Sequence, residues 1–550
     1  MSHDRDPSEP PGGAAGLDRR RLLLCGTAGL GGLALVGAAS PPRPSRRSAR
    51  RAPASGRLAR AHEVRTAAAD LARDRGIAEQ HANGDEERLP GRIACFTKGL
   101  PHDPAGRVDP AAYDLLLRAL ASGEPADFER IPLGGFARLA NPQAAWAFEL
   151  IGPDPSQPAL PAAPALDSAE QAAEMVELYW QALLRDVPFG RYGDDPATRR
   201  AAAELSGLAG FTGPRRDGAV TPEILFRGPT AGDAAGPYVS QFLWQPIPWT
   251  PIRIDQRIRT AAAGLDFLTG YDDWLAVQRG ALAGVNRFDG EARYIRSGRD
   301  LAEYVHRDFT YQAFLGACLA ALKMGSPADG ANPYKHSRTQ GAFTTFGQPY
   351  LLYLLAVVTQ AALKACWYQK WRVHRRLRPE ELGGRLEAHR RGLAELPVHA
   401  DLEASEALAR TVEQTGAAVL PQAYPEGCPL HPSYPAGHAV IGGACVTVLK
   451  ACLDESYELP NPIVARDDGL TLEPYDGPPL TLGGELDKLA GNIAFGRDFA
   501  GIHWRSDGVE GLKLGEEVAI AVLDELRLTG AELFAGYSLR RFDGRRVVVG

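Results

Sequence analysis

The stretch that most restricts the fold is "PYLLYLLAVVTQAALKACWYQKWRVHRRLRPEE", Pro349 to Glu381. Its first two thirds are apolar around nearly the whole helical circumference, so a helix there must be surrounded by other elements. Its length and apolarity also fit a membrane span, but Gln360 and Lys364 interrupt it and a buried core helix is the expectation. The segment then turns basic, with Lys370, Arg372, Arg375, Arg376 and Arg378 around His374, and Pro379 is expected to mark the helix exit. Taken alone, such a run complements the negative end of a helix dipole.

Other segments agree with a helical class. "DPAAYDLLLRALASG", Asp109 to Gly123, opens on an Asp-Pro cap and stops at Gly. "SAEQAAEMVELYWQALLRDV", Ser168 to Val187, has a Ser cap, Glu170 in its first turn and an amphipathic pattern. "RDLAEYVHRDFTYQAFLGACLAALKMG" reads as a further helical run. Alternating patterns are scarce apart from the tail "RRVVVG". The expected class is all-α: helical bundles with long connecting loops.

A net charge of −6 over 550 residues gives no overall case for binding nucleic acid. Locally, residues 41–60, "PPRPSRRSARRAPASGRLAR", are rich in Arg and Pro, and residues 41–85 are expected to form a disordered basic linker. Residues 1–40 have the form of an export leader. "DRRRLLL" precedes a mildly apolar, Gly-rich segment, with small residues near Ala38 and Ala39 suited to cleavage, as in a twin-arginine signal. The expected location is therefore periplasmic or extracellular. Residues 86–550 are expected to form the catalytic domain, with its active-site half at about 340–550. After leader removal six cysteines remain (Cys95, Cys318, Cys366, Cys428, Cys445 and Cys452), none in a CxxC pair, so neither a zinc site nor a redox dithiol is indicated. Disulfides and buried free thiols both remain open.

Three segments carry chemistry. The basic run is the first. In the second, "HPSYPAGHAV", His431 and His438 flank a small-residue turn directly before an apolar run. A helix beginning there offers backbone N–H groups and a positive dipole end to an anion, and a histidine beside it can move protons near neutral pH. The third, "GRDFAGIHWRSDG", sets Arg497, His503 and Asp507 in an R-x5-H-x3-D pattern. On one helix, residues four apart share a face, so the carboxylate can fix the imidazole's tautomer. Together, Lys370, Arg378 and Arg497 supply three positive charges, two of them able to fork onto a tetrahedral oxyanion, and Gly437 adds an unobstructed backbone N–H. Such a set suits phosphate or a phosphate-shaped anion.

The ordered set K-x7-R-P, P-x-G-H and R-x5-H-x3-D resembles the vanadium-dependent haloperoxidases, which share active-site ancestry with the type-2 phosphatidic-acid phosphatases. "GLPHDPAGRVDPAAYDLLLRAL", "LANPQAAWAFELIG", "ELYWQALLRDV", "GPYVSQFLW" and "AALKACWYQKWRVHRRLRPEELGG" resemble the algal and bacterial bromoperoxidase branch. The likeness extends over nearly everything after residue 85. The Lys370-to-Arg378 spacing and the extra His431 resemble bromoperoxidases rather than phosphatases or chloroperoxidases. One position departs from the pattern: Ala436 stands where the family usually has a serine that donates a hydrogen bond to the cofactor.

The resemblance implies the following roles. Vanadate is the cofactor, and His503 ligates vanadium through a neutral ring nitrogen, with Asp507, or alternatively a backbone carbonyl, as its partner. Lys370, Arg378, Arg497 and the Gly437 N–H hold the oxyanion. His438 takes a proton from hydrogen peroxide, Lys370 polarises the activated peroxide for attack by halide, and His431 tunes the surroundings. The expected reaction oxidises halide, bromide above all, to a hypohalous acid equivalent that halogenates an organic acceptor. The alternative is an acid phosphatase on the same scaffold, with His503 as nucleophile forming a phosphohistidine. A homo-oligomer without a stable membrane span after leader removal, and without nucleic acid, completes the expectation.

Overall fold

A computed structural model describes residues 56–282 and 284–550. The segment expected to be a leader, residues 1–40, and the first part of the basic stretch lie outside the described residues. The chain divides into a unit ending at Leu58 and a compact unit from Ala59 to Gly550.

The compact unit is mostly helical. Ten helices matter for the site or the comparison with sequence: α1 (Gly56–Asp74), α2 (Pro110–Ser122), α3 (Ala169–Leu184), α4 (Gly298–Arg307), α5 (Gln312–Lys323), α6 (Gln348–Tyr368), α7 (Pro379–Arg390), α8 (Gly437–Cys452), α9 (Leu482–Phe499) and α10 (Arg505–Leu526). The strands form separate two-stranded antiparallel ladders: β1 (Ile247–Trp249) with β2 (Ile252–Ile254), β3 (Ile258–Ala261) with β4 (Phe288–Arg293), β5 (Ile463–Ala465) with β6 (Leu472–Pro474), and β7 (Tyr537–Arg540) with β8 (Arg546–Val549). The last pair contains the "RRVVVG" tail.

The caps follow the sequence closely. The Asp109 carboxylate accepts from the Ala111 N–H, Pro110 fills the first helical position, and Gly123 ends α2 at φ 72°. Ser168 caps α3 through the Gln171 N–H.

Three expectations are corrected. Part of the stretch expected to be a linker is α1, whose "TAAADLA" is built from strong helix formers. Just beyond it Arg75 pairs with Asp524 (3.1 Å) and Glu525 (2.5 Å) on α10. Second, the run from Arg299 to Gly325 is broken between α4 and α5, and Asp308 ends α4. Third, the long apolar helix stops before Pro379. It passes into a wider turn over Gln369–His374, in which the Arg375 N–H reaches the Lys370 carbonyl (3.0 Å), and Arg375 closes it at φ 40°. Pro379 instead starts α7, where its missing N–H costs nothing.

The apolar α6 is the one described helix long and apolar enough to cross a membrane. In the fold it is a core helix, burying Leu351, Leu354, Leu355, Val358, Ala361, Ala362, Ala365 and Cys366. Lys364, one of its two interruptions, leaves this core to pair with Glu149 (3.0 Å).

The centre of the molecule is α8, packed against α10, α6 and α9. Two glycines allow the α8–α10 approach: a Cβ on Gly443 would lie 2.0 Å from the Leu512 carbonyl oxygen, and one on Gly515 would lie 2.0 Å from that of Val440. The N-terminal ends of these two helices carry the second and third chemical segments. Among the described residues the six cysteines are free thiols, five of them buried.

Candidate active site

Nine residues were singled out by sequence, and five of them line one cavity of about 480 Å³: His431, Gly437, His438, Arg497 and His503. Lys370, Arg378, Ala436 and Asp507 are buried. A larger cavity of about 760 Å³, near Arg75 and the C-terminal ladder, contains none of these residues.

His503 is not on a helix with Asp507, as expected, but two residues before α10 begins. Asp507, in the first turn, reaches back to the Trp504 N–H (3.2 Å) and to His503 Nδ1 (2.7 Å). The ionised carboxylate can only accept, so Nδ1 carries the proton and Nε2 presents its lone pair. Arg378 Nη1 donates to that Nε2 at 2.8 Å. Burial, followed by the charges of Arg378, Lys370 and Arg497, holds the His503 imidazole well below the usual histidine range, hence neutral.

Asp507 is itself held from two further sides. Arg376 donates to its Oδ1 (2.9 Å), and Ser433 donates its hydroxyl to Oδ2. Arg376 is fixed in turn by Glu174 (2.9 Å) and Gln171 (2.7 Å) on α3.

Lys370, fully buried, donates from Nζ to the carbonyls of Pro432 and Ser433, each at 2.6 Å. An ammonium has three N–H bonds, so one is left for a ligand. Burial, with Arg378 adding repulsion, lowers its pKa to about 7. Arg378 spans the site, donating to the carbonyls of His431 (3.0 Å) and Ile502 (2.8 Å) and to His431 Nδ1 (2.9 Å). His431 Nδ1 thus faces both this donor and the Pro432 carbonyl (3.1 Å). His431 too is held well below its usual pKa, by burial and by Lys370 and Arg378. Arg497 donates to the Val305 carbonyl (2.6 Å), while its buried Nε has no protein partner.

At the start of α8, Ala436 is the N-cap and supplies no side-chain cap. Gly437 follows on the cavity lining, and a Cβ there would come no nearer than van der Waals contact with Trp367 (3.8 Å) and Leu363 (4.0 Å). His438 Nε2 lies 3.0 Å from Asp308 Oδ1, so Nε2–H donates and Nδ1 is left as the base.

Sequence reading missed Asp308, Ser433 and the place of Arg376. Arg376 was one undistinguished cation in a run, and Ser433 stood in the quoted "HPSYPAGH". Asp308 had no local signal, because it depends on the break between α4 and α5.

The donor set fits a tetrahedral or trigonal oxyanion carrying one ligating imidazole: an Nε2 lone pair, three cations, an orphaned guanidinium Nε and a helix start open to the cavity. Fold and site together define a helical-bundle protein with a buried oxyanion site. The family model for the VCPO second helical-bundle domain matches residues 350–529. A vanadium-dependent bromoperoxidase of Ascophyllum nodosum is 38% identical over 83% of this chain and 88% of its own length. One from Corallina pilulifera is 36% identical over 88% of this chain and 97% of its own. The homohexameric second vanadate-dependent bromoperoxidase of Ascophyllum nodosum superimposes with a TM-score of 0.84 and 30% identity, over 93% of this chain and 96% of that one. This chain belongs to the vanadium-dependent bromoperoxidase family.

Proposed function

We propose that the protein is a vanadate-dependent bromoperoxidase, carrying out Br⁻ + H₂O₂ + H⁺ → HOBr + H₂O and delivering the oxidised halogen to an organic acceptor. The observation that carries this reading is the chain of contacts Asp507–His503–Arg378. It leaves a neutral imidazole nitrogen, aimed by a carboxylate, within a cluster of cations.

His503 Nε2 would hold vanadium, and Arg378, Arg497, Lys370 and the Gly437 N–H would hold the oxygens. When bound, vanadium(V) supplies Lewis acidity toward peroxide without changing oxidation state. The protein contributes the positioning and the proton. His438 Nδ1 accepts a proton from incoming hydrogen peroxide, and Asp308 stabilises the imidazolium that results. Lys370, charged once an anion sits beside it, draws electron density from the oxygen that bromide attacks. His431, neutral and held by Arg378, lines the cavity without adding charge.

The reading extends to assembly and location. The match to a homohexameric relative supports a homo-oligomer. The packing of α6 into the core supports a chain without a membrane span, and the paired arginines ahead of the Gly-rich segment support export. The test is bromination by chelator-treated protein with peroxide and bromide, before and after added vanadate. Turnover restored by vanadate is expected. Equal turnover in both samples, or hydrolysis of a phosphomonoester with no bromination, would overturn it.

A further inference from the structure

With an oxyanion held by Arg378, Arg497 and Lys370, the charged side chains left on the cavity lining, imidazoles aside, are Asp308, Glu426 and Arg138. Asp308 faces His438 (3.0 Å) and Glu426 faces His306 (2.5 Å), so each carboxylate has an imidazole against it. Arg138 is exposed, and among the described residues its guanidinium has no hydrogen-bond or ion-pair partner. Its backbone, by contrast, is pinned on both sides. The Gly134 N–H donates to the Gly99 carbonyl (2.9 Å), Phe136 and Ala137 both donate to the Gly280 carbonyl (3.0 and 3.1 Å), and Ala140 donates to the Leu430 carbonyl (2.8 Å). Gly135 is pressed so closely that a Cβ there would lie 2.4 Å from the Gly280 carbonyl oxygen. Ala140 in turn accepts from Trp367 Nε1 (3.1 Å), and Leu430 and Trp367 are themselves cavity residues. A free guanidinium is thus carried on a fixed loop at the cavity lining.

The two small reactants differ in charge: hydrogen peroxide is neutral and bromide is an anion. A bromide entering the loaded cavity passes two carboxylates, and a cleft with low-dielectric walls strengthens their repulsion relative to an open surface. Arg138 is the cation on the lining left to offset them. Because no carboxylate lies against it, its field reaches the entering ion instead of being cancelled within a few ångströms.

Resting on the bromoperoxidase reading, we infer that Arg138 is a steering residue for anions: its unpaired charge draws bromide into the cavity without touching the reacting atoms. Vanadate, also an anion, enters vanadate-free protein past the same group. Hydrogen peroxide does not sense it.

The test compares vanadate-loaded wild type, Arg138→Lys, Arg138→Gln and Arg138→Glu at ionic strengths of about 0.02 M and about 0.5 M, set with a non-halide salt. At low salt, kcat/KM for bromide should fall about threefold in Arg138→Gln and about tenfold in Arg138→Glu, while Arg138→Lys stays within about twofold of wild type. kcat at saturating bromide and kcat/KM for peroxide should not change in any variant. High salt should bring the four proteins together, which a merely structural effect of the substitution would not do. An unchanged kcat/KM for bromide in Arg138→Glu at low salt would overturn the inference. So would equal losses toward bromide and peroxide, or a loss that salt does not remove. Absence of bromination in wild type would instead defeat the functional reading. The rate of vanadate uptake by vanadate-free protein, sampled by rapid desalting, would then decide the steering alone. It should be about fivefold slower in Arg138→Glu at low salt, and an equal rate would overturn the inference.

Discussion

Asp308 and Ala436 are the residues at which chemistry and sequence pattern separate. Asp308 places a buried carboxylate 3.0 Å from His438 Nε2, which fixes the imidazole's tautomer and leaves Nδ1 free. Asp308→Asn keeps an acceptor for Nε2–H but removes the charge. kcat should fall about tenfold to a hundredfold, with vanadate affinity nearly unchanged. An unchanged kcat would assign the proton to another group. Ala436→Ser places a hydroxyl at the N-cap of α8, where its oxygen can accept from the first turn while its proton points to an anion. A hydrogen bond to a charged acceptor contributes about 1.5–3 kcal/mol, so vanadate should bind on the order of tenfold more tightly, less if water already fills the place. Weaker binding in a folded variant would show that this position does not face the anion. Lys370 carries a pH signature. Its pKa of about 7 lies below that of an unfolded lysine, so from about pH 7 upward the unfolded chain binds more protons. Stability of the vanadate-free protein should therefore rise with pH over that range, at up to about 1.4 kcal/mol per pH unit from this group. Denaturation of wild type and Lys370→Met at pH 7 and pH 9 checks it, and the slope should flatten in the variant. An oxyanion beside Lys370 favours the charged form, so vanadate affinity should fall over the same range.

At the scale of elements, the site depends on how closely α8 and α10 cross, because the N-terminal ends of both point their polar groups at one cavity. The Ala436 N–H donates to the Asp507 carbonyl (3.0 Å), so the two helix starts are also joined directly. Gly515→Ala would push a methyl onto the Val440 carbonyl. A loss of about 1–3 kcal/mol is expected, together with weaker vanadate binding as the helix starts separate. Gly207→Ala, with open space around its would-be Cβ, serves as the neutral control. Unaltered stability in Gly515→Ala would mean that the crossing relaxes at no cost. The helices themselves were legible in the sequence where caps and periodicity coincide, as at Asp109 and Ser168. Their breaks were less so. The α4–α5 break has no proline or glycine between Arg307 and Gln312, and the early end of α6 is a backbone event at Arg375 that composition does not announce.

Over the whole molecule, the candidate residues were legible because each motif is short and local, while the contacts that orient them cross the chain. Asp507 is reached from Arg376 and Ser433, and Arg376 from Glu174, across 131, 74 and 202 positions. No local pattern encodes such pairs. The unusually polar buried face of α3, with Gln171, Glu174 and Glu177, was present in the sequence as an ordinary amphipathic helix. Only the fold turns that face toward the site, where Glu174 holds Arg376 and Glu177 holds Arg505. The molecule thus surrounds one imidazole nitrogen with charge that neither the motifs nor the helices alone reveal. Equilibrium dialysis of vanadate against vanadate-free wild type and His503→Ala tests this most directly, with circular dichroism to confirm the fold. Wild type should retain about one vanadium per chain, and the variant should retain little and brominate nothing. Stoichiometric vanadate in folded His503→Ala, with bromination intact, would contradict the assignment of His503 as the ligand.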